Sequence, residues 1–381
     1  MNKAMRFAAT VLAATLAVSP AWAQTTDSDA PKYKADASWP KPLPNNWLIG
    51  EVGGLAVDSH DQIWVLQRPR SLTKDEAGLK QNPPISQCCT DAPSILVFDT
   101  EGNLIKSWGG PGFIPNWPQS EHGLWVDKSD NVWMGGNGVE DRQLLKFDKD
   151  GKLLMTIGKL SKEAKSNQNT DILGRPAGID VDDKAKEVYI ADGYLNNRIV
   201  VYDANTGKFK RGWGGYGIPL SKITNPGTEA DGGAIPMPPP YSPANPPSKQ
   251  FGKFVHCVRL SADGFVYVCD RENDRIQVFT KAGKFVKEFT VRPETLFTGS
   301  TWTINFSSDP KQKYLLVADG ANNTIWIVNR QDGKTVSSFG RSGRNAGDFH
   351  WVHQGGTDSK GNYYTGEVET GKRIQKFTLQ P

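Results

Sequence analysis

Three short stretches of the chain share one arrangement: Glu121-His122-Gly123-Leu124, Val255-His256-Cys257-Val258 and Val352-His353-Gln354-Gly355. In each, a histidine opens a run that otherwise reads as the first arm of a β-hairpin. The chain has five histidines, and these three sit at one phase of a repeated pattern. Neutral imidazoles are zinc ligands, and three of them with one open position is the usual layout of a catalytic zinc. Copper and iron accept the same donors, so another transition metal fits as well. A lone histidine on an inner strand reads as packing. It is the shared phase that points to a metal site.

A bound metal polarises an oxygen and leaves proton transfer and substrate charge to other groups. The ends of the second strands supply such groups: Arg68 in "WVLQRPR", Asn137 in "MGGNG", Tyr194 in "ADGYLNNRI", Arg271 in "CDRENDRI", Asp319 in "ADGANNTI" and Glu367 in "TGEVE". Asp192, Asp270 and Asp319 recur at one place, where a carboxylate satisfies a turn backbone, so they read as corner residues. Arg68 and Tyr194 are not explained by the repeat. Arginines beside a metal favour an anionic substrate such as a carboxylate. Tyr194 beside a cation reads as a proton-transfer group. His60 lies in a turn on the opposite face. His350, three residues before His353, reads as supporting or exposed.

The elements that position these residues come from a unit that occurs six times along the chain. The clearest copy is "PAGIDVDDKAKEVYIADGYLNNRIVVYDANTGKFKRGWG", from Pro176; the others start near Gly53, His122, His256, Thr303 and His353. Each holds four short strands with turn residues between them, the pattern of a propeller blade. The expected fold is all-β, a six-bladed β-propeller. The sixth copy ends after its third strand, so a segment around Tyr33 to Trp39 is expected to complete it, leaving no free edge. First strands line the channel. The histidines belong to blades 2, 4 and 6, about 120° apart around one axis. Gly53, Ala177 and Thr303 are expected at the matching positions of blades 1, 3 and 5.

Residues 1–23 read as a secretory signal peptide: Lys3 and Arg6, an apolar run, then Ala21-Trp22-Ala23 as a cleavage site. A single domain over 24–381 is expected, secreted or periplasmic, with no membrane span. The formal charge of +4 includes two leader cations and no basic block stands out, which argues against nucleic acid and anionic membranes as partners. An oxidising compartment permits disulfides. Cys257 and Cys269 fall opposite each other on one hairpin and are expected to pair. Cys88 and Cys89 read as either a vicinal disulfide or free thiols. Long loops near 69–93 and 217–250 fall on the histidine face, as pocket walls or as surface decoration.

The stretches "HGLWVDKSDNVWM", "ADGYLNNRIVVYD", "CDRENDRIQVF" and "WVHQGG" resemble, in order, motifs of the NHL-repeat propellers, and more narrowly of peptidyl-α-hydroxyglycine α-amidating lyase. The resemblance covers all six blades. It implies that His122, His256 and His353 bind zinc, that Tyr194 is the catalytic tyrosine, and that Arg68 and Arg271 are the active-site arginines. The implied reaction cleaves the C–N bond of a carbinolamide, giving an amide and an aldehyde such as glyoxylate. Zinc would hold the hydroxyl, Tyr194 would take its proton, and Arg68 would steer the carboxylate of a small or peptide-derived substrate. Gln354 stands where the family has an aspartate that helps hold a structural calcium, which makes calcium doubtful. Leu195 replaces a family cysteine, and Trp351-Val352 replaces Met-Pro. Two other readings share the fold: a binding module without chemistry, and a metal-dependent hydrolase such as a lactonase.

Overall fold

The computed structural model describes residues 27–224 and 248–381. The expected leader and the centre of the second long loop lie outside the described residues. The chain folds into six four-stranded sheets. Their inner strands are Glu51–Val57, Glu121–Val126, Gly178–Asp182, Val255–Leu260, Thr303–Phe306 and Val352–Thr357. Each touches the next, and the sixth touches the first, so the sheets form a closed ring of six blades around an axial channel.

Burial follows position within a blade. In blade 3 the second and third strands, Glu187–Asp192 and Arg198–Asp203, are almost wholly buried. Their Val, Ile and Tyr residues suit a surface packed on both faces. The outer strand Phe209–Trp213 is mostly exposed. The core is divided between neighbouring blades. Trp64 and Val97 of blade 1, for example, pack with Leu124, Met134 and Phe147 of blade 2. Similar clusters lie between each successive pair, including blades 6 and 1.

The last blade takes its outer strand from the other end of the chain. Lys32–Asp36 pairs antiparallel with Ile374–Gln380, from Lys32 opposite Gln380 to Asp36 opposite Lys376. Tyr33 packs on Phe339 and Tyr363. Cys257 and Cys269 face each other directly across the blade 4 hairpin and are disulfide-bonded. Cys88 and Cys89 are bonded to each other. The loop that carries them is anchored at both sides of blade 1: Arg70 donates to the Pro118 and Gln119 carbonyls, and Lys372 Nζ donates to the Ser71 carbonyl and pairs with Glu76. No helix among the described residues is long and apolar enough to cross a membrane.

The corners are polar and saturated. Asp192 accepts from Arg198 Nε at 2.8 Å and Asn196 Nδ2 at 2.9 Å. Asp270 accepts from Arg275 Nε at 2.7 Å, and Glu367 from Arg373 Nε at 2.6 Å. Asp319 takes the Trp326 indole N–H at 2.8 Å. These carboxylates hold strands together, as the repeat implies. Arg198 is fully buried and also donates to the carbonyls of Asn167, Asn169 and Ile172. Arg198→Ala therefore strands a buried carboxylate and three carbonyls. It is expected to cost about 3–5 kcal/mol, read as a lowered denaturation midpoint. Lys159→Ala, at an exposed pair with Glu163, should leave that midpoint nearly unchanged.

Candidate metal centre and active site

The inner strands place the histidines through breaks in their pairing. In blade 4, Val255 pairs with Asp270 and Cys257 with Cys269, so His256 is an extra residue between them. Blade 6 repeats this with His353, between the Val352–Glu367 and Gln354–Gly366 pairs. In blade 2 the register shifts just after His122. Such bulges re-aim a side chain, here towards the axis. The three side chains are 0–2% exposed, and one nitrogen of each lies within 4.8 Å of the others. His353 Nε2 is 3.1 Å from His122 Nε2 and 3.3 Å from His256 Nε2.

The other ring nitrogen is fixed each time by the following blade. His122 Nδ1 donates to the Ala177 carbonyl at 3.0 Å, His256 Nδ1 to Trp302 at 2.5 Å and His353 Nδ1 to Val52 at 3.0 Å. This sets the tautomer that leaves the Nε2 lone pairs facing one another. Burial holds all three well below the usual imidazole range, and the charge of Arg68 acts in the same direction on each. Three neutral, convergent nitrogens at this spacing fit a transition metal. At about 2.0–2.1 Å from a shared ion, tetrahedral nitrogens sit roughly 3.3 Å apart.

Tyr194, Arg68 and Arg271 join the histidines at the channel mouth. The Tyr194 hydroxyl is 2.9 Å from His122 Nε2 and 3.1 Å from His256 Nε2. Gly193 makes this approach possible, because a Cβ there would lie 2.1 Å from the Val255 carbonyl oxygen. Burial pushes the Tyr194 phenol up, while Arg271, Arg68 and Asn137 beside it pull the other way. Arg68 Nε donates to the Glu121 carbonyl at 2.8 Å, Nη1 to Glu51 at 2.6 Å and Nη2 to Asn137 Oδ1 at 3.2 Å. Arg271 Nε donates to the Thr298 carbonyl at 2.6 Å. Its guanidinium lies 3.4 Å over the Trp302 ring and 4.8 Å from the Phe254 ring. Burial pulls it down to about 10.

One expectation needs correction. The Trp302 N–H donates to the Ala318 carbonyl, as the Ala177 N–H does to Ala191. Thr303 then pairs with Ala318, as Cys257 does with Cys269. The blade 5 match to the histidines is therefore Trp302, not Thr303, and the intervening blades do not all carry small residues. Trp302 packs on His256 and His353, with centroids at 6.0 and 5.9 Å. Gly53 has its own reason: a Cβ there would lie 2.1 Å from the Glu121 carbonyl and 3.3 Å from Arg68 Nε. Glu51 went unread in the sequence, although the hairpin register puts it opposite Arg68. His60 is exposed and faces Asp130 at 3.5 Å. The His350 backbone N–H donates to Glu367, away from the ligand nitrogens.

Residues 253–279 match the NHL repeat family. The chain is 26% identical over 309 residues to the probable peptidyl-alpha-hydroxyglycine alpha-amidating lyase of Caenorhabditis elegans, covering 78% of this chain and 75% of that one. It is 26% identical over 325 residues to NHL repeat-containing protein 3 of Mus musculus, covering 82% and 73%. Peptidyl-glycine alpha-amidating monooxygenase B of Xenopus laevis is 27% identical over 265 residues, 66% of this chain. The matched part is 25% of that relative's length. Among solved structures, a virginiamycin B lyase of Staphylococcus aureus superposes with a TM-score of 0.51 at 15% identity, over 92% of this chain and 88% of that one, and shows the shared fold. The chain is a six-bladed β-propeller with an NHL-repeat match at residues 253–279, and it resembles the peptidyl-α-hydroxyglycine α-amidating lyases.

Proposed function

We propose that this protein is an exported metal-dependent lyase that cleaves the C–N bond of a carbinolamide bearing a carboxylate. The observation that carries the reading is the contact of Tyr194 with two of three convergent histidines. A proton-transfer group in contact with a metal's donor set is what removal of a carbinol proton needs. Relatives named as amidating lyases support the choice of reaction. The disulfides and the expected leader support export.

His122, His256 and His353 would hold the ion, with zinc favoured by three imidazoles and an open position. When bound, such an ion stabilises negative charge on an oxygen beside it. Tyr194 takes the proton of the substrate hydroxyl as it gives its own phenol proton to the departing nitrogen, so the neutral phenol is restored. The electron pair of that O–H bond forms the aldehyde C=O. The pair of the C–N bond leaves on nitrogen, which takes up a proton to give the amide. Arg271 orients the carboxylate, and Arg68 places positive charge next to the oxygen that becomes the aldehyde. Asn137 and Glu51 fix the Arg68 guanidinium for this role.

Purified protein never exposed to chelator should hold about one transition metal per chain, counted by elemental analysis. Replacing any one of the three histidines with Ala should remove most of it. Metal-free wild-type protein would refute the site. Tyr194→Phe should keep the metal and lower kcat on an N-acyl-α-hydroxyglycine by about 10²–10⁴-fold. Arg68→Ala should lower kcat/KM without releasing the ion. Turnover unchanged by both substitutions would favour a different chemistry at this mouth. A lactone and ester panel assayed in parallel separates C–N cleavage from hydrolysis.

A further inference from the structure

Two bulky residues stand just ahead of two of the histidines in backbone that L side chains rarely adopt. Phe254, two residues before His256, has φ +65°, and Trp351, two before His353, has φ +58°. Arg175, two residues before Ala177, has φ +61°. A large aromatic side chain in the left-handed region is disfavoured unless its surroundings impose it, and such residues cluster at functional sites. Glycine would occupy either position without strain. The chain carries rings there instead.

The rings stand on either side of one stack. The Phe254 ring is 5.1 Å from Tyr194 and 4.8 Å from the Arg271 guanidinium. Arg271 lies 3.4 Å over Trp302, and Trp302 is 5.6 Å from Trp351. The order across the rim is therefore Phe254, Arg271, Trp302, Trp351. Phe254 and Trp351 are only half-buried, while Arg271 and Trp302 are buried. Rings packed on the Arg271 guanidinium at 3.4 and 4.8 Å favour its edge for an in-plane carboxylate. An apolar acyl group, carried on the nitrogen next to the carboxylate-bearing carbon, meets the ring faces alongside it.

We infer that Phe254 and Trp351 form a shelf for the acyl part of the substrate, and that this part is apolar and planar, such as an aroyl group. The inference rests on the proposed lyase reading for which end of the substrate meets Arg271. Aromatic faces reward flat apolar groups beyond simple area burial, so an aroyl compound should be preferred to its acetyl counterpart.

The test uses two inert analogues that lack the carbinol hydroxyl, hippurate and N-acetylglycine, titrated calorimetrically into the metal-loaded protein. Hippurate should bind at least about tenfold more tightly. Trp351→Gly should remove most of that preference and leave N-acetylglycine binding unchanged. Because glycine relieves the backbone at this position, the variant should melt no lower than the parent. That pairing of kept stability with lost selectivity is one a packing residue would not give. Phe254→Gly gives a second, independent measure, and Trp351→Phe should restore preference. Equal binding of the two analogues, binding of neither, or preference intact in both glycine variants would overturn the shelf. The α-hydroxylated forms of both compounds address the chemistry separately. Preference without cleavage leaves the shelf and sinks the lyase; equal cleavage of both leaves the lyase and sinks the shelf.

Discussion

Everything at the channel mouth depends on one bond made three times: an imidazole Nδ1–H given to a main-chain carbonyl of the next blade. Each bond orients a donor nitrogen, and each also ties one blade to its neighbour. The ligand set is therefore only as well placed as the ring is closed. A ring of sheets whose cores lie between blades has no hinge at which a single ligand moves away. The positions of His122, His256 and His353 are consequences of packing all around the axis. This is how three donors 97 or more positions apart are held to hydrogen-bonding precision.

The polar corners extend the same logic outward. Asp192, Asp270, Asp319 and Glu367 sit where second strands end, one or two residues from Tyr194, Arg271, Gly320 and Val368. At Asp192 and Asp270, bonds from arginine side chains fix the chain just before Tyr194 and Arg271, the residues that enter the mouth. Tyr194 reaches the histidines because Asp192 is pinned and because Gly193 allows blade 3 to touch the Val255 backbone. A buried corner carboxylate is costly unless fully bonded. Here that cost secures the direction of the next side chain.

Much of this was legible from sequence because propeller blades repeat, and repetition turns spacing into position. Four strands per unit, acidic corners and alternate blades with histidine were enough to bring His122, His256, His353, Tyr194, Arg68 and Arg271 to one mouth. The opposed cysteines of the blade 4 hairpin were legible for the same reason. Trp302 was misplaced by one residue because bulges are invisible to periodicity. In blades 4 and 6 the histidine is itself the extra residue, whereas blade 5 pairs evenly from Thr303 onward. Counting from the start of the apolar pattern therefore slips. The anchoring of the loop that carries Cys88 and Cys89 depends on contacts with neighbouring blades, which no local pattern encodes.

The structure also separates the two arginines that sequence alone treats as a pair. Arg68 already has a carboxylate: Glu51 lies 2.6 Å from its Nη1, with both side chains largely enclosed. A substrate carboxylate would have to share that guanidinium with Glu51 or displace it, and displacement would leave Glu51 buried without its partner. Arg271 is held instead by a carbonyl and two ring faces, and among the described residues no carboxylate lies within ion-pair distance of it. Burial has drawn its pKa down to about 10, which marks a cation short of compensation. An incoming carboxylate gains most where charge is least compensated. Under the proposed reaction, Arg271 is therefore the better anchor for the substrate, and Arg68, clamped by Glu51 and Asn137, the better fixed source of positive field beside Tyr194 and the histidines.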